Sequence, residues 1–198
     1  TSKKPFDTRK DELLKKLIPV MLKNYIDHIK TWLNSNLGTQ FSAELFINDH
    51  IFEILDDKSK AIYKEAIDKT LDFYKGDIAN DDQHALNAFP YSQRFLKSLI
   101  QNGSWDRTEK KIVPLTKTGE FLGLEFAKRL YSEVITKKYL VDWCNNKNAS
   151  FVIVSLYEVF SKKDTKNEFF QDLNKAKGSL DTADEDNKGL KLLTKLMK

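Results

Sequence analysis

The chain has 198 residues, 40% of them hydrophobic and 31% charged, with a formal net charge of +4. That length suits one domain with a real core, and that hydrophobic content excludes a chain disordered throughout. One cysteine, Cys144, excludes an internal disulfide and suits a reducing compartment, and seven glycines with four prolines are too few for the tight turns of an all-β chain.

The first residue is Thr1, not Met, and residues 1–5 lack the pattern of a signal peptide, so a piece of a longer chain is expected. No apolar run approaches a membrane span, and no membrane partner is expected. The charge is unevenly spread. Residues 1–43 carry 8 basic and 4 acidic side chains, residues 44–84 carry 5 and 11, and residues 85–147 carry 11 and 6. Two basic stretches flanking an acidic block hint at a polyanion partner, although scattered lysines also suit an ordinary solvated helical surface.

Leu13, Leu14, Leu17, Ile18, Met21, Leu22, Tyr25, Ile26 and Ile29 fall at helical spacing and predict a helix over 11–29. Pro19 predicts a break near Ile18. A polar link, Asn34-Ser35-Asn36, leads to a helix from Thr39 to about Ile47. Residues 56–74 form the next, with Ala61, Ile62, Ala66, Ile67 and Leu71 as its buried stripe and Gly76 as its stop. Residues 80–83 read as a loop. Pro90 opens a helix over 92–100. Residues 104–119 are open between a helix start at Ile112 and a crossover. Helices follow over 122–134, 137–144, 169–173 and 187–197, with an exposed loop at 179–186. Residues 151–156 have strand propensity, but their register with the helix from Thr39 predicts a buried helix.

That register is an internal match at a spacing of 111 residues. Trp32 falls on Trp143, Asn34 on Asn145, Gly38 on Ala149, Thr39 on Ser150 and Leu45 on Leu156. A recurring unit predicts a repeat array, which presents a binding surface rather than a catalytic pocket. A small residue followed by an amphipathic helix recurs at Gly38-Thr39-Gln40-Phe41, Ser92-Gln93-Arg94-Phe95, Ala149-Ser150-Phe151-Val152 and Gly189-Leu190-Lys191-Leu192.

These stretches resemble the second helix of a pumilio repeat, a unit of three helices. Arg9 to Leu14, Gly38 to Phe46, Phe95 to Ile100, Phe126 to Leu130, Ala149 to Glu158 and Asn187 to Leu193 follow in an order similar to the C-terminal half of the nucleolar Puf-A family of pumilio-like proteins. The resemblance implies an all-α fold, an α-solenoid of about five degenerate repeats over 1–198. It also implies a place in the nucleus and nucleolus, a role in large ribosomal subunit assembly, and binding of RNA or DNA with little sequence preference. The implied partners are pre-rRNA, messenger RNA under translational repression, and ribosome-assembly proteins.

In sequence-reading pumilio proteins, three side chains of each second helix meet one base, two reading its edge and one stacking on it. The corresponding trios here are Thr39/Gln40/Ala43, Gln93/Arg94/Lys97, Ser150/Phe151/Val154 and Leu190/Lys191/Thr194. A base edge is read with a paired donor and acceptor, which Gln supplies. The last members here are Ala, Lys, Val and Thr, so the base code is broken in every placed repeat. Charge remains. Gln93, Arg94, Lys97 and Lys191 are the first candidates for nucleic-acid contact, with Arg129, Lys137, Lys138 and Lys147 beside them; phosphate contacts hold a protein on a strand without reading it. Phe151 is read as a core aromatic before a stacking one, Trp32 and Trp143 as core, and Cys144 as a buried thiol.

His28, His50, His84 and Cys144 share no metal-ligand spacing, and no Gly-rich phosphate loop occurs. No enzyme, cofactor or metal is expected. The alternative to an RNA-binding array is a helical protein-interaction scaffold without RNA contact.

Overall fold

The computed structural model describes residues 5–198, and the reading of Thr1 to Lys4 lies outside them. The described residues are mostly helical: α1 (Phe6–Asp27), α2 (Ile29–Leu33), α3 (Asn36–Ile47), α4 (Asp49–Ile54), α5 (Asp57–Phe73), α6 (Ala85–Ala88) and α7 (Ser92–Gln101). A short hairpin follows, β1 (Gly103–Asp106) and β2 (Lys111–Pro114). Then come α8 (Leu124–Arg129), a π-helical turn (Leu130–Ile135), α9 (Thr136–Asn145), α10 (Ala149–Lys163), α11 (Glu168–Ala176) and α12 (Lys188–Met197).

Four of these helices stack in chain order: α3 packs on α7, α7 on α10, and α10 on α12. They are the four helices that open on the recurring small residue. The remaining helices back this ladder, with α1 against α5, α5 against the π-helical turn, and α9 against α10, α11 and α12. The arrangement is an all-α solenoid, one short hairpin aside.

The 111-residue match is a match of hydrogen bonds. Ser35 Oγ accepts from Gly38 N at 2.9 Å, and Asn146 Oδ1, at the equivalent position, accepts from Ala149 N at 3.0 Å. The next backbone bonds, Thr39 N to Ser35 O and Ser150 N to Asn146 O, are both 3.0 Å. The cap is thus the conserved element of the two units. Small residues at these starts let neighbours approach: a Cβ on Gly189 would overlap Ser150 Oγ and stand 2.9 Å from Phe151 N.

Leu33, Phe46, Leu99, Trp143, Ile153, Leu156 and Leu193 are fully buried, so one core runs the length of the ladder. Residues 151–156 are helical within α10, as their register predicts. Their β-branched side chains sit between α7 and α12, and tertiary packing outweighs propensity.

Four expectations change. α1 runs unbroken through Pro19 to Asp27, because Lys15, whose carbonyl loses its partner there, is exposed and open to water. The buried stripe of α5 is Ser59, Tyr63, Ala66, Ile67, Thr70 and Leu71; Ala61 is exposed and Ile62 half-buried. Ile112 lies in strand β2, not at a helix start. Trp32 is half-buried with its Nε1 donating to Asn24 Oδ1 at 2.8 Å, whereas Trp143 is core. The units also differ in that α10 has a ladder neighbour on each side, whereas α3 has only α7 within the ladder and otherwise packs on α2.

Candidate nucleic-acid interface

α7 supplies the centre of the site. Its apolar residues Phe95, Leu96, Leu99 and Ile100 turn inward, which leaves Gln93, Arg94 and Lys97 on the opposite stripe. These three line a cleft of about 310 Å³ together with Phe151, Val154, Ser155 and Glu158 of α10 and Leu192 of α12. A second cleft, about 180 Å³, lies between α3 and α7 and is lined by Gln40, Ala43, Glu44 and Ile47 with Arg94 and Ser98. Arg94 stands in both.

The lining residues occupy equivalent places on each rung: Gln40 and Ala43 on α3, Arg94 and Lys97 on α7, Phe151 and Val154 on α10. These are the second and third members of the trios. Three of the four first members are withdrawn, whereas Gln93 is half-buried and lines the first cleft. Thr39, Ser150 and Leu190 are buried, and Ser150 Oγ donates to Asn187 Oδ1 at 2.8 Å. Base reading therefore fails in residue type at every third member, and in access at every first member but Gln93. Phe151, read first as core, is half-buried and forms a wall of the cleft, so its ring is available for stacking.

The four ladder helices carry 7 basic and 2 acidic side chains, a net +5, against +4 for the whole chain. Helix α5, whose four basic and four acidic side chains balance, lies behind the ladder, packed on α1 and the π-helical turn. The ladder helices therefore carry the chain's net positive charge, and Arg94 and Lys97 share the clefts with Glu44 and Glu158.

A family model described as the CPL (NUC119) domain matches residues 1–110. The chain belongs to the CPL (NUC119) family. It is 40% identical over 198 residues to "Pumilio homology domain family member 6" of Saccharomyces cerevisiae, a match that covers all of this chain and 30% of that protein. It is 29% identical over 184 residues to the protein of the same name from Schizosaccharomyces pombe, covering 93% of this chain and 25% of that one. The chain thus spans under a third of the length of these relatives, and it is a Puf-A-family, pumilio-like helical scaffold. No solved structure matches it.

None of the remaining candidate cations of this CPL chain lines either cleft. Arg129 is a clamp: Nη1 donates to Asp68 at 2.8 Å and Nε to Glu133 at 2.6 Å, tying the end of α8 to α5. The Glu133 carboxylate first, and Asp68 with it, hold its pKa above the usual arginine value. Lys137 and Lys138 are exposed on α9, with Lys138 Nζ 5.1 Å from the Tyr139 ring centre. Lys147 Nζ stands 3.7 Å from Asp186, and Lys191 Nζ, on α12 beside the first cleft, pairs with Glu185 at 2.6 Å. Both pairs are exposed, so a phosphate can replace the carboxylate at small cost.

Cys144 is buried, and burial pushes its thiol up to about 12, so it is inert. Among the described residues no group of three or more His, Cys, Asp or Glu could hold a metal ion, and no helix is long and apolar enough to cross a membrane.

Proposed function

We propose that this chain binds single-stranded RNA along the α3–α7–α10–α12 face, by charge and shape and with little sequence preference. The observation that carries this reading is the concentration of net +5 on the ladder helices, beside clefts in which no rung keeps both base-edge positions: every third member lacks a paired donor and acceptor, and every first member but Gln93 is buried. The same chemistry accepts single-stranded DNA. The printed name of the relatives, with its pumilio homology, supports a role as one part of a longer RNA-binding array. We place that array in the nucleolus, on pre-rRNA and among assembly proteins of the large ribosomal subunit, with repression of a messenger RNA as a further use of the same surface. The chain acts as a scaffold and not as an enzyme.

The test is the salt dependence of RNA binding. Each phosphate contact on a single strand contributes about 0.7 to the slope of log K against log salt. Replacing Arg94 and Lys97 together with Ala should weaken all sequences alike and flatten that slope by about 1.4, with unchanged far-ultraviolet circular dichroism. Wild-type affinity and slope in this variant would move the site elsewhere, first to Lys137, Lys138 and Lys147.

One observation favours a second reading, a protein-docking scaffold. Phe6, Leu13, Leu17 and Val20 are exposed on α1 and form an apolar stripe. A scaffold of that kind predicts RNA binding that is weak and without an ordered salt dependence.

A further inference from the structure

Between α7 and α8 lies a feature the ladder does not use, the β1–β2 hairpin. A two-stranded hairpin without a packed face is marginal in water, so its persistence needs an anchor. The anchor is dense. Asn102 leaves α7 in the left-handed region at φ +43°, which turns the chain away from the helix. Its carbonyl accepts from Leu115 N at 2.9 Å, and its Oδ1 accepts from Thr118 Oγ at 2.9 Å. The Asp49 carboxylate of α4 accepts from Thr116 N at 2.8 Å and Thr118 N at 3.0 Å. Burial works to raise the Asp49 carboxyl, but the N–H groups of Thr116, Thr118 and Lys117 outweigh it and hold it below the usual carboxylate value. The anion that grips the hairpin base is therefore stable at neutral pH.

The blade beyond this base covers nothing. Register puts Trp105 opposite Ile112 and Gly103 opposite Pro114, all on one face. A Cβ on Gly103 would overlap Ile112 Cγ2, so Ile112 lies across the glycine and leaves the indole free. Trp105 is 62% exposed, and every residue of β2 is exposed. A rigid base under an uncovered tryptophan is an arrangement for contact with something outside the chain.

The charges select what that is. Residues 103–117 hold Arg107, Lys110, Lys111 and Lys117 against Asp106 and Glu109. Asp106 is occupied by its own turn, accepting from Thr108 N at 2.8 Å and Glu109 N at 2.9 Å. Glu109 faces Lys111 across 3.4 Å in an exposed pair that a phosphate can break. Lys97 lies four residues, roughly 6 Å along a helix, before the end of α7 at Gln101, and β1 starts two residues on, so a strand on the ladder can reach the hairpin.

We infer that the hairpin is a second contact for single-stranded RNA, with one base stacked on Trp105 beside Ile112 and neighbouring phosphates on Arg107, Lys110 and Lys111. The inference rests on the ladder reading above and extends the bound strand past the end of α7. Indole stacking tolerates every base, in keeping with weak sequence preference.

The test uses the 198-residue chain and fluorescein-labelled single-stranded RNA of mixed sequence. Trp105→Ala should weaken binding about tenfold with the salt slope unchanged, because the lost contact is uncharged. Trp105→Phe should keep most of the affinity. Arg107→Ala with Lys110→Ala and Lys111→Ala should flatten the slope by about 2. Trp143 is buried and Trp32 half-buried, so acrylamide quenching reports chiefly on Trp105, and bound RNA should reduce it. Wild-type affinity in Trp105→Ala together with quenching indifferent to RNA would overturn the inference and make the hairpin a protein contact. In that outcome the ladder reading stands if wild-type binding still follows salt and still depends on Arg94 and Lys97. Absence of RNA binding by the wild type would remove both.

Discussion

Ser150 Oγ donates to Asn187 Oδ1 across 2.8 Å, and this buried bond joins α10 to α12. The same Asn187 oxygen accepts from Leu190 N at 3.0 Å, while its Nδ2 donates to the Cys144 carbonyl at 3.0 Å. One amide caps α12 and fastens it to two neighbouring helices. Asn187→Ala strands a hydroxyl, a carbonyl and a helix N-terminus at once. It should cost about 3 kcal/mol, read as a lower urea midpoint. Ser150→Ala should leave RNA sequence preference unchanged, because that hydroxyl already faces Asn187.

Sequence preference itself is expected to be slight. Unrelated single-stranded RNAs of equal length should bind within about tenfold of one another, about 1.4 kcal/mol. Competition titrations at fixed salt measure this. One short motif preferred a thousandfold would refute the non-specific reading.

Arg129 should behave as a structural residue. Its bonds to Asp68 and Glu133 form a half-exposed network, so Arg129→Ala should lower stability by about 1 kcal/mol and leave RNA affinity within about twofold. Asp68→Asn should resemble it in denaturant. Among the carboxylates of the acidic stretch, Asp56 also has a structural task, capping α5 through Ser59 N at 2.7 Å. Asp57 and Glu65, both exposed on α5, are the pair to neutralise when testing whether this stretch meets RNA. Their removal should leave binding unchanged or slightly tighter.

His84 sets a pH dependence. Its ring is buried, Nε2 donates to the Tyr74 carbonyl at 2.9 Å, and Nδ1 accepts from Leu86 N at 3.2 Å, a pattern only the neutral ring allows. Burial lowers its pKa against the opposing pull of the Tyr74 carbonyl, Asp81 and Asp77. The unfolded chain therefore takes up the proton first, at about pH 6.5. Stability from this group is complete above that pH and is lost as pH falls toward the folded value. Urea midpoints should drop between pH 7 and 5, and His84→Asn should flatten that drop.

The ladder was legible because each rung opens on a small residue and buries a helical stripe, a pattern that survives divergence in the bases once read. Arg94 and Lys97 were legible as a pair for the same reason, since a spacing of three puts them on one face. The hairpin was not. Ser104, Trp105 and Asp106 alternate no more clearly than Ile112 and Val113, and the turn between them lacks an Asn-Gly pair. Nor was the clamp on Arg129, whose partner Asp68 lies 61 residues away and carries no local mark.

The ladder also bears on how this chain tolerates change in length. Its rungs open at Gly38, Ser92, Ala149 and Gly189, intervals of 54, 57 and 40 residues. Each rung nevertheless packs on the next in the same way. The difference in length lies between rungs, in the backing helices and in the hairpin between α7 and α8. Insertions and deletions there alter the flanks and spare the stacked interface, so new segments can be grafted onto this scaffold one connection at a time.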